Sequence, residues 1–111
     1  MSLVPLSDDL DSITELRVAA STPPKELAGS IIHLLNENRQ VRLSAIGHQS
    51  VGQAVKAIPV VNQYCIAQGY MIAIFPAFEL KEVQTRELVS EESRMQERTV
   101  MMLKLIKVSP Q

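Results

Sequence analysis

Residues 41–70, VRLSAIGHQSVGQAVKAIPVVNQYCIAQGY, constrain the fold more strongly than any other stretch of the chain. A short apolar run over residues 41–46 stops at Gly47, and apolar residues then recur at helical spacing as far as Cys65. This change of period predicts a strand, a tight turn and a long helix.

The turn at the start of this helix is a candidate anion site. Ser50 is predicted to be the helix N-cap, because its hydroxyl can accept a hydrogen bond from the first turn, and Gly69 is placed where a helix ends. A helix that begins at the carboxyl end of a strand presents unpaired N–H groups and the positive end of its dipole. These features favour an anion without identifying it.

The remaining residues predict strands and helices in alternation. Residues 1–12 carry Asp8, Asp9 and Asp11 without a sustained period and are predicted to form a mobile acidic tail. The other predicted elements are a strand from residue 13, a helix over 24–38, a buried strand over 70–78 and a final strand over 99–108. Residues 79–98 are polar and lack Gly and Pro, so they predict a hairpin arm, with a helix as the open alternative.

This order of elements predicts the fold class. At 111 residues with 46% hydrophobic content, the chain suits a single core, and we expect one domain over residues 13–111. Two right-handed crossovers would place both helices on the same face of the sheet. We therefore expect an α/β protein of the α+β type, a two-layer sandwich with βαβαββ order and a mixed four-stranded sheet.

The formal net charge of −1 hides an uneven distribution. The tail and the predicted hairpin are acidic, whereas the body carries more bases than acids. The bases of the body are Arg17, Lys25, Arg39, Arg42, Lys56, Lys104 and Lys107, against Glu15, Glu26 and Glu37. The chain has no apolar run of about 18 residues and no leader pattern, which predicts a soluble, cytoplasmic protein.

Neither catalysis nor metal binding is predicted. The window around Ser50 reads H-x-S-x-G, which differs from the G-x-S-x-G nucleophile elbow, and no acidic partner is evident. His33 has only Glu37 at helical spacing, which is too few ligands for a metal site. Cys65 is the single cysteine and forms neither an internal disulfide nor a zinc cage. We expect no enzyme activity, no metal and no cofactor.

The long helix has a second apolar line at Ala57, Val60 and Tyr64. A helix that is half exposed should be polar on that side. The line therefore predicts a homodimer or a higher homo-oligomer with these residues in the interface. In the alternative, the first helix and the sheet of the same chain cover them.

Five segments resemble the stage V sporulation protein S family in order and spacing. They are LRVAAS, ELAGSI, AIGHQSVGQAVKAI, IAIFPAF and ERTVMMLKLIKV, and the resemblance covers about residues 16–108. That family is similar in fold to Alba, the archaeal chromatin protein. The resemblance implies an Alba-like βαβαββ domain, a dimer that binds nucleic acid, and a role in sporulation or developmental regulation.

We therefore expect a non-enzymatic, chromatin-like regulator that binds DNA or RNA weakly, through turns and helix N-termini, and does not bind membranes. The candidate phosphate contacts are Lys25, Arg42, His48, Gln49, Lys56, Arg86, Arg94 and Arg98. The alternative is a protein-interaction module without nucleic-acid contact. Basic residues gathered on one face would favour the first function, and an even scatter would favour the second.

Overall fold

The structure is a computed structural model that describes residues 13–86 and 93–109. The predicted acidic tail over residues 1–12 and the tip of the predicted hairpin over 87–92 lie outside the described residues. The elements are β1 (Ile13–Val18), α1 (Pro24–Asn36), β2 (Gln40–Ala45), α2 (His48–Ala67), β3 (Met71–Arg86) and β4 (Ser93–Val108). The predicted βαβαββ order is confirmed.

The four strands form one mixed sheet in the order β1-β2-β4-β3. β1 and β2 are parallel, and β4 is antiparallel to both of its neighbours. α1 connects two adjacent parallel strands, and α2 crosses β4 to reach β3. Since both crossovers run in the same direction across the sheet, right-handed connections place both helices on one face, as predicted. We call the opposite side of the sheet the open face.

The core lies between the helices and the sheet. In β2 the alternate residues Val41, Leu43 and Ala45 are buried, as expected for a central strand that faces helices on one side. They pack in one cluster with Ile31 of α1 and Val61 of α2. Neither helix in the described part of the chain is long and apolar enough to cross a bilayer.

Both helices end on a residue in the left-handed conformation. Asn38 has φ of 59° after α1, and Gly69 has φ of 92° after α2. The N–H of Tyr70 then donates to the carbonyl of Cys65 at 3.2 Å, which is the Schellman pattern. The position predicted for the end of α2 is therefore confirmed.

The start of α2 differs from the prediction. The N-cap is Gly47, and Ser50 lies three residues further on, in the first turn of the helix. Gly47 has φ of 87°, a conformation that glycine adopts without the steric penalty of a side chain. The chain therefore turns into the helix earlier than expected, and the prediction of Ser50 as N-cap was wrong.

The third strand also differs from expectation. β3 and β4 pair continuously from Met71 opposite Val108 to Arg86 opposite Ser93, so the polar segment is extended and not helical wherever it is described.

Because β4 occupies the position between β2 and β3, β3 is an edge strand. Ile72 is 4% exposed, whereas Phe75 and Phe78 are 64% and 74% exposed. The prediction of a buried strand is therefore confirmed at Ile72 and wrong over residues 75–78.

Cys65 is fully buried in the core, and burial raises the pKa of its thiol. Because the thiolate is the reactive form, we expect native protein to react with a thiol reagent only as fast as the core opens. The same reagent in concentrated urea should label one thiol at the rate of a free cysteine. Fast labelling of the native protein would show that Cys65 is accessible.

Candidate nucleic-acid interface

Basic side chains gather on the open face of the sheet. Since Val41, Leu43 and Ala45 point toward the helices, Arg42 points the other way, and it lies opposite Lys104 of β4. The same alternation places the following bases on this face: Arg17, Arg42, Lys81, Arg98 and Lys104. Among the residues whose side chains the structure describes, the acids on this face are Glu15 and Glu79.

One of these acids ties the hairpin to the body. The Glu15 carboxylate lies 3.0 Å from Arg42 Nε and 3.3 Å from Lys81 Nζ. The contact with Arg42 is an ion pair without hydrogen-bond geometry at Nε. β1 and β3 are opposite edges of the sheet, so Lys81 reaches Glu15 only because the β3–β4 hairpin bends over the open face.

Burial raises the pKa of the Glu15 carboxyl, but contacts with Lys81, Ser44 and Arg42 outweigh it. The pKa therefore lies below its usual value of 4.5. The carboxylate is charged at neutral pH. It therefore offsets part of the positive charge of Arg42 and Lys81 on the open face.

A groove of about 340 Å³ lies where the open face meets the start of α2. Arg17 and Lys81 line it together with the buried Ser50. Gln53 of α2 donates to the carbonyl of Ala20 at 3.1 Å, which holds the loop after β1 against the helix. The N–H groups of the first turn of α2 are not used within the helix, and they add a positive end of the dipole to this groove.

A second pocket, of about 240 Å³, lies further along the open face. We call it the Phe75 pocket; it is lined by Ile13, Gln40, Val41, Arg42, Phe75, Ala77, Met102 and Lys104. Phe75 lies directly opposite Lys104 in the β3–β4 register. An exposed aromatic ring and two bases therefore border the same apolar depression.

Residues 14–107 match the sequence model of the protein family Stage V sporulation protein S (SpoVS). The chain belongs to the stage V sporulation protein S family. Its structure is similar to that of Alba from Thermoplasma volcanium, with a TM-score of 0.54 and 11% identity, covering 86% of this chain and 99% of that chain. At that identity the likeness shows the fold alone. The predicted family and the predicted Alba-like fold are both confirmed.

The predicted contact residues of this SpoVS family member fall into separate groups. Arg42 and Arg98 lie on the open face, whereas His48 and Gln49 are exposed in the first turn of α2. Three bases of the open face were not among the predicted contacts, namely Arg17, Lys81 and Lys104. Their signal in the sequence was the polar half of the period-two alternation along β1, β3 and β4.

The other predicted contacts lie on the helices or near the described end of the β3–β4 hairpin. Lys25 is exposed in the first turn of α1, and Lys56 is exposed on α2 two turns after its start. Arg86 and Arg94 belong to the paired backbone near the described end of the hairpin. The structure thus brings Arg42 and Arg98 to one face but does not unite all eight residues.

The residues predicted for a subunit interface pack against the core of the same chain. Ala57 is fully buried, and Val60 and Tyr64 are half-buried against the core. The amide of Asn36 in α1 donates to the Tyr64 hydroxyl at 3.1 Å. This arrangement matches the alternative in which the chain covers its own second apolar line, and it leaves little of Ala57 for a second copy.

Replacing Glu15 with glutamine is expected to remove a pH-dependent contribution to stability. A carboxyl with a lowered pKa stabilises the fold above its unfolded pKa and loses that contribution as the pH falls through the folded pKa. In the wild type this loss begins near the usual value of 4.5 and continues below it. We expect a contribution of about 1 kcal/mol or less, since both bases are partly exposed.

Urea unfolding of the wild type and of Glu15→Gln, at neutral pH and below pH 4.5, measures this difference. Glu79→Gln is the control, because it removes an acid from the same face that has no ion pair among the described residues. A stability difference that stays constant across the pH range would contradict the ion cluster.

Proposed function

We propose that this member of the stage V sporulation protein S family is a small, non-enzymatic regulator that binds DNA or RNA through the phosphate backbone. The observation that carries the proposal is the open face, where, among the residues whose side chains the structure describes, five basic residues from four strands accompany two acids. The sequence provides no such cluster along the chain, and only the assembly of the sheet creates it. A surface of this charge attracts polyanions.

The open face continues into the groove at the start of α2. Arg17 and Lys81 belong to both surfaces. A phosphate at this junction would meet two side-chain cations and the positive end of a helix dipole, beside the Glu15 carboxylate that also lines the groove. The proposed site therefore joins the helix N-terminus, which belongs to the predicted mechanism, to a sheet surface that forms only when the strands assemble.

The bases of the open face differ in how freely they can act. Arg17 and Lys104 are exposed and have no ion-pair partner among the described residues. Arg42 and Lys81 are instead held by Glu15. A phosphate must compete with the Glu15 carboxylate for these two bases, so binding is expected to be weak and electrostatic.

Titration of labelled DNA and RNA at several salt concentrations tests the proposal. The logarithm of the affinity should fall linearly with the logarithm of the salt concentration, by about 0.9 per phosphate contact on duplex DNA and about 0.7 on single strands. Absence of binding at low salt, or tight binding that ignores salt, would overturn it.

A second candidate function is a protein contact through β3. Phe78 and Leu80 are 74% and 65% exposed on the helix side of the strand, and exposed apolar groups close together mark contact surfaces. A homodimer or higher homo-oligomer would cover them. Light scattering of the wild type and of Phe78→Glu tests this: a wild-type oligomer that the variant dissociates supports the contact, and a monomeric wild type excludes self-association here.

A further inference from the structure

Phe75 is a large apolar side chain on the open face, where the arginine and lysine side chains gather. It is 64% exposed, and its cross-strand neighbour on that face is Lys104. We infer that Phe75 stacks against a nucleobase and that the open face takes single-stranded nucleic acid in preference to duplex. This inference deepens the proposed function and rests on it, because it names the class of nucleic acid that the same face binds.

The combination of one exposed aromatic ring and several basic side chains suits a single strand of nucleic acid. A phosphate-only site needs cations but no aromatic group, whereas single-strand sites combine a positively charged surface with rings on which bases stack. In a duplex the bases are already stacked and paired, so only an unpaired base can lie on Phe75. Lys104 and Arg42, which border the same pocket, stand where the phosphates of that strand would pass.

The Phe75 pocket has an apolar floor beside the ring. Ala77 and Met102 lie one step along the same face, on β3 and β4, and occupy opposite register positions. The small side chain of Ala77 leaves the ring accessible along the strand. The flat, apolar face of a nucleobase fits such a depression, while a chain of phosphates would gain nothing from it.

Self-association through this face is disfavoured by charge. A two-fold dimer brings the same patch of both copies together. The basic side chains on the open face of one copy would then meet those of the other. Like charges across a contact oppose association. The occupant of the open face is therefore an anion, and the exposed ring selects an anion that carries planar bases.

Alanine substitution separates stacking from charge. We expect Phe75→Ala to lower the affinity for a single-stranded oligonucleotide by roughly 5- to 100-fold, with little change for a duplex. Phe78→Ala is the matched control, because Phe78 is on the same strand, is similarly exposed and points to the other side of the sheet. Should Phe78 support an oligomer, its loss would lower both affinities together and leave their ratio unchanged.

The absence of Trp from the sequence permits a direct optical test. In Phe75→Trp the new side chain is the only tryptophan, and stacking of a base on it is expected to quench its fluorescence. Oligouridylate and oligothymidylate are titrated separately, so that RNA and DNA are distinguished. Phe78→Trp is the control and should keep its emission in both titrations.

The outcomes distinguish the inference from the function on which it rests. No binding of any nucleic acid by the wild type overturns both. Binding in which Phe75→Ala affects duplex and single strand equally overturns the inference alone, as does equal quenching of the two tryptophan variants. Quenching of Phe75→Trp by polyglutamate to the same degree as by an oligonucleotide would also overturn it, because that polyanion carries no bases.

Discussion

Replacing both Arg17 and Lys104 with alanine is expected to weaken nucleic-acid binding by roughly tenfold or more at low salt. Both side chains are exposed on the open face and have no ion-pair partner among the described residues, so they are the bases most available to phosphate. Loss of two contacts should also reduce the salt dependence, by about 1.4 in slope for single strands and about 1.8 for duplex. Fluorescence anisotropy at several salt concentrations measures both quantities.

The matched control removes the same charge from the other side of the molecule. Lys25→Ala combined with Lys56→Ala takes away two exposed lysines that lie on the helices. We expect this variant to retain most of the affinity and nearly all of the salt slope. A larger loss in the lysine variant than in the Arg17 and Lys104 variant would move the site from the open face to the helices.

Replacing Leu43 with alanine is expected to lower the free energy of unfolding by about 3 kcal/mol. Leu43 is fully buried at the centre of β2 and lies between Leu16 of β1 and Leu103 of β4. The substitution removes buried methyl groups and leaves a cavity that a central strand cannot easily close. Such a loss is a large part of the total stability of a domain of this size.

Leu80→Ala is the control for this substitution, because it makes the same chemical change at a residue that is 65% exposed. Its effect should stay within about 0.5 kcal/mol. Urea unfolding followed by circular dichroism, at one protein concentration, measures both variants. Equal effects of the two substitutions would contradict the placement of Leu43 in the core.

The helices and central strands were largely predictable because their signals are local. Residues 41–70 contain both the strand-to-helix change of period and Gly69, and the structure confirms this part of the chain with small shifts at the ends. The exception was the N-cap. Ser50 has the side chain of a cap, but the positive φ of Gly47 starts the helix earlier, and a dihedral angle is not visible in residue types alone.

The candidate site was predictable only in part. Arg42 and Arg98 were among the expected contacts, while Arg17, Lys81 and Lys104 were seen only as charges of their segments. Nothing local indicated that three strands would present these bases side by side. The same limit applied to Phe75, since an apolar run favours a buried strand whether it ends up central or at the edge.

The sequence by itself determined the order of the elements, the family and the single core, because periodicity and turn residues act over a few neighbouring positions. The tertiary structure decided the strand order, the exposure of β3 and the contact between Lys81 and Glu15 across the sheet. These features depend on which distant strands pair and in what register. That choice minimises the free energy of the whole sheet, so no single segment encodes the basic face that the assembled strands create.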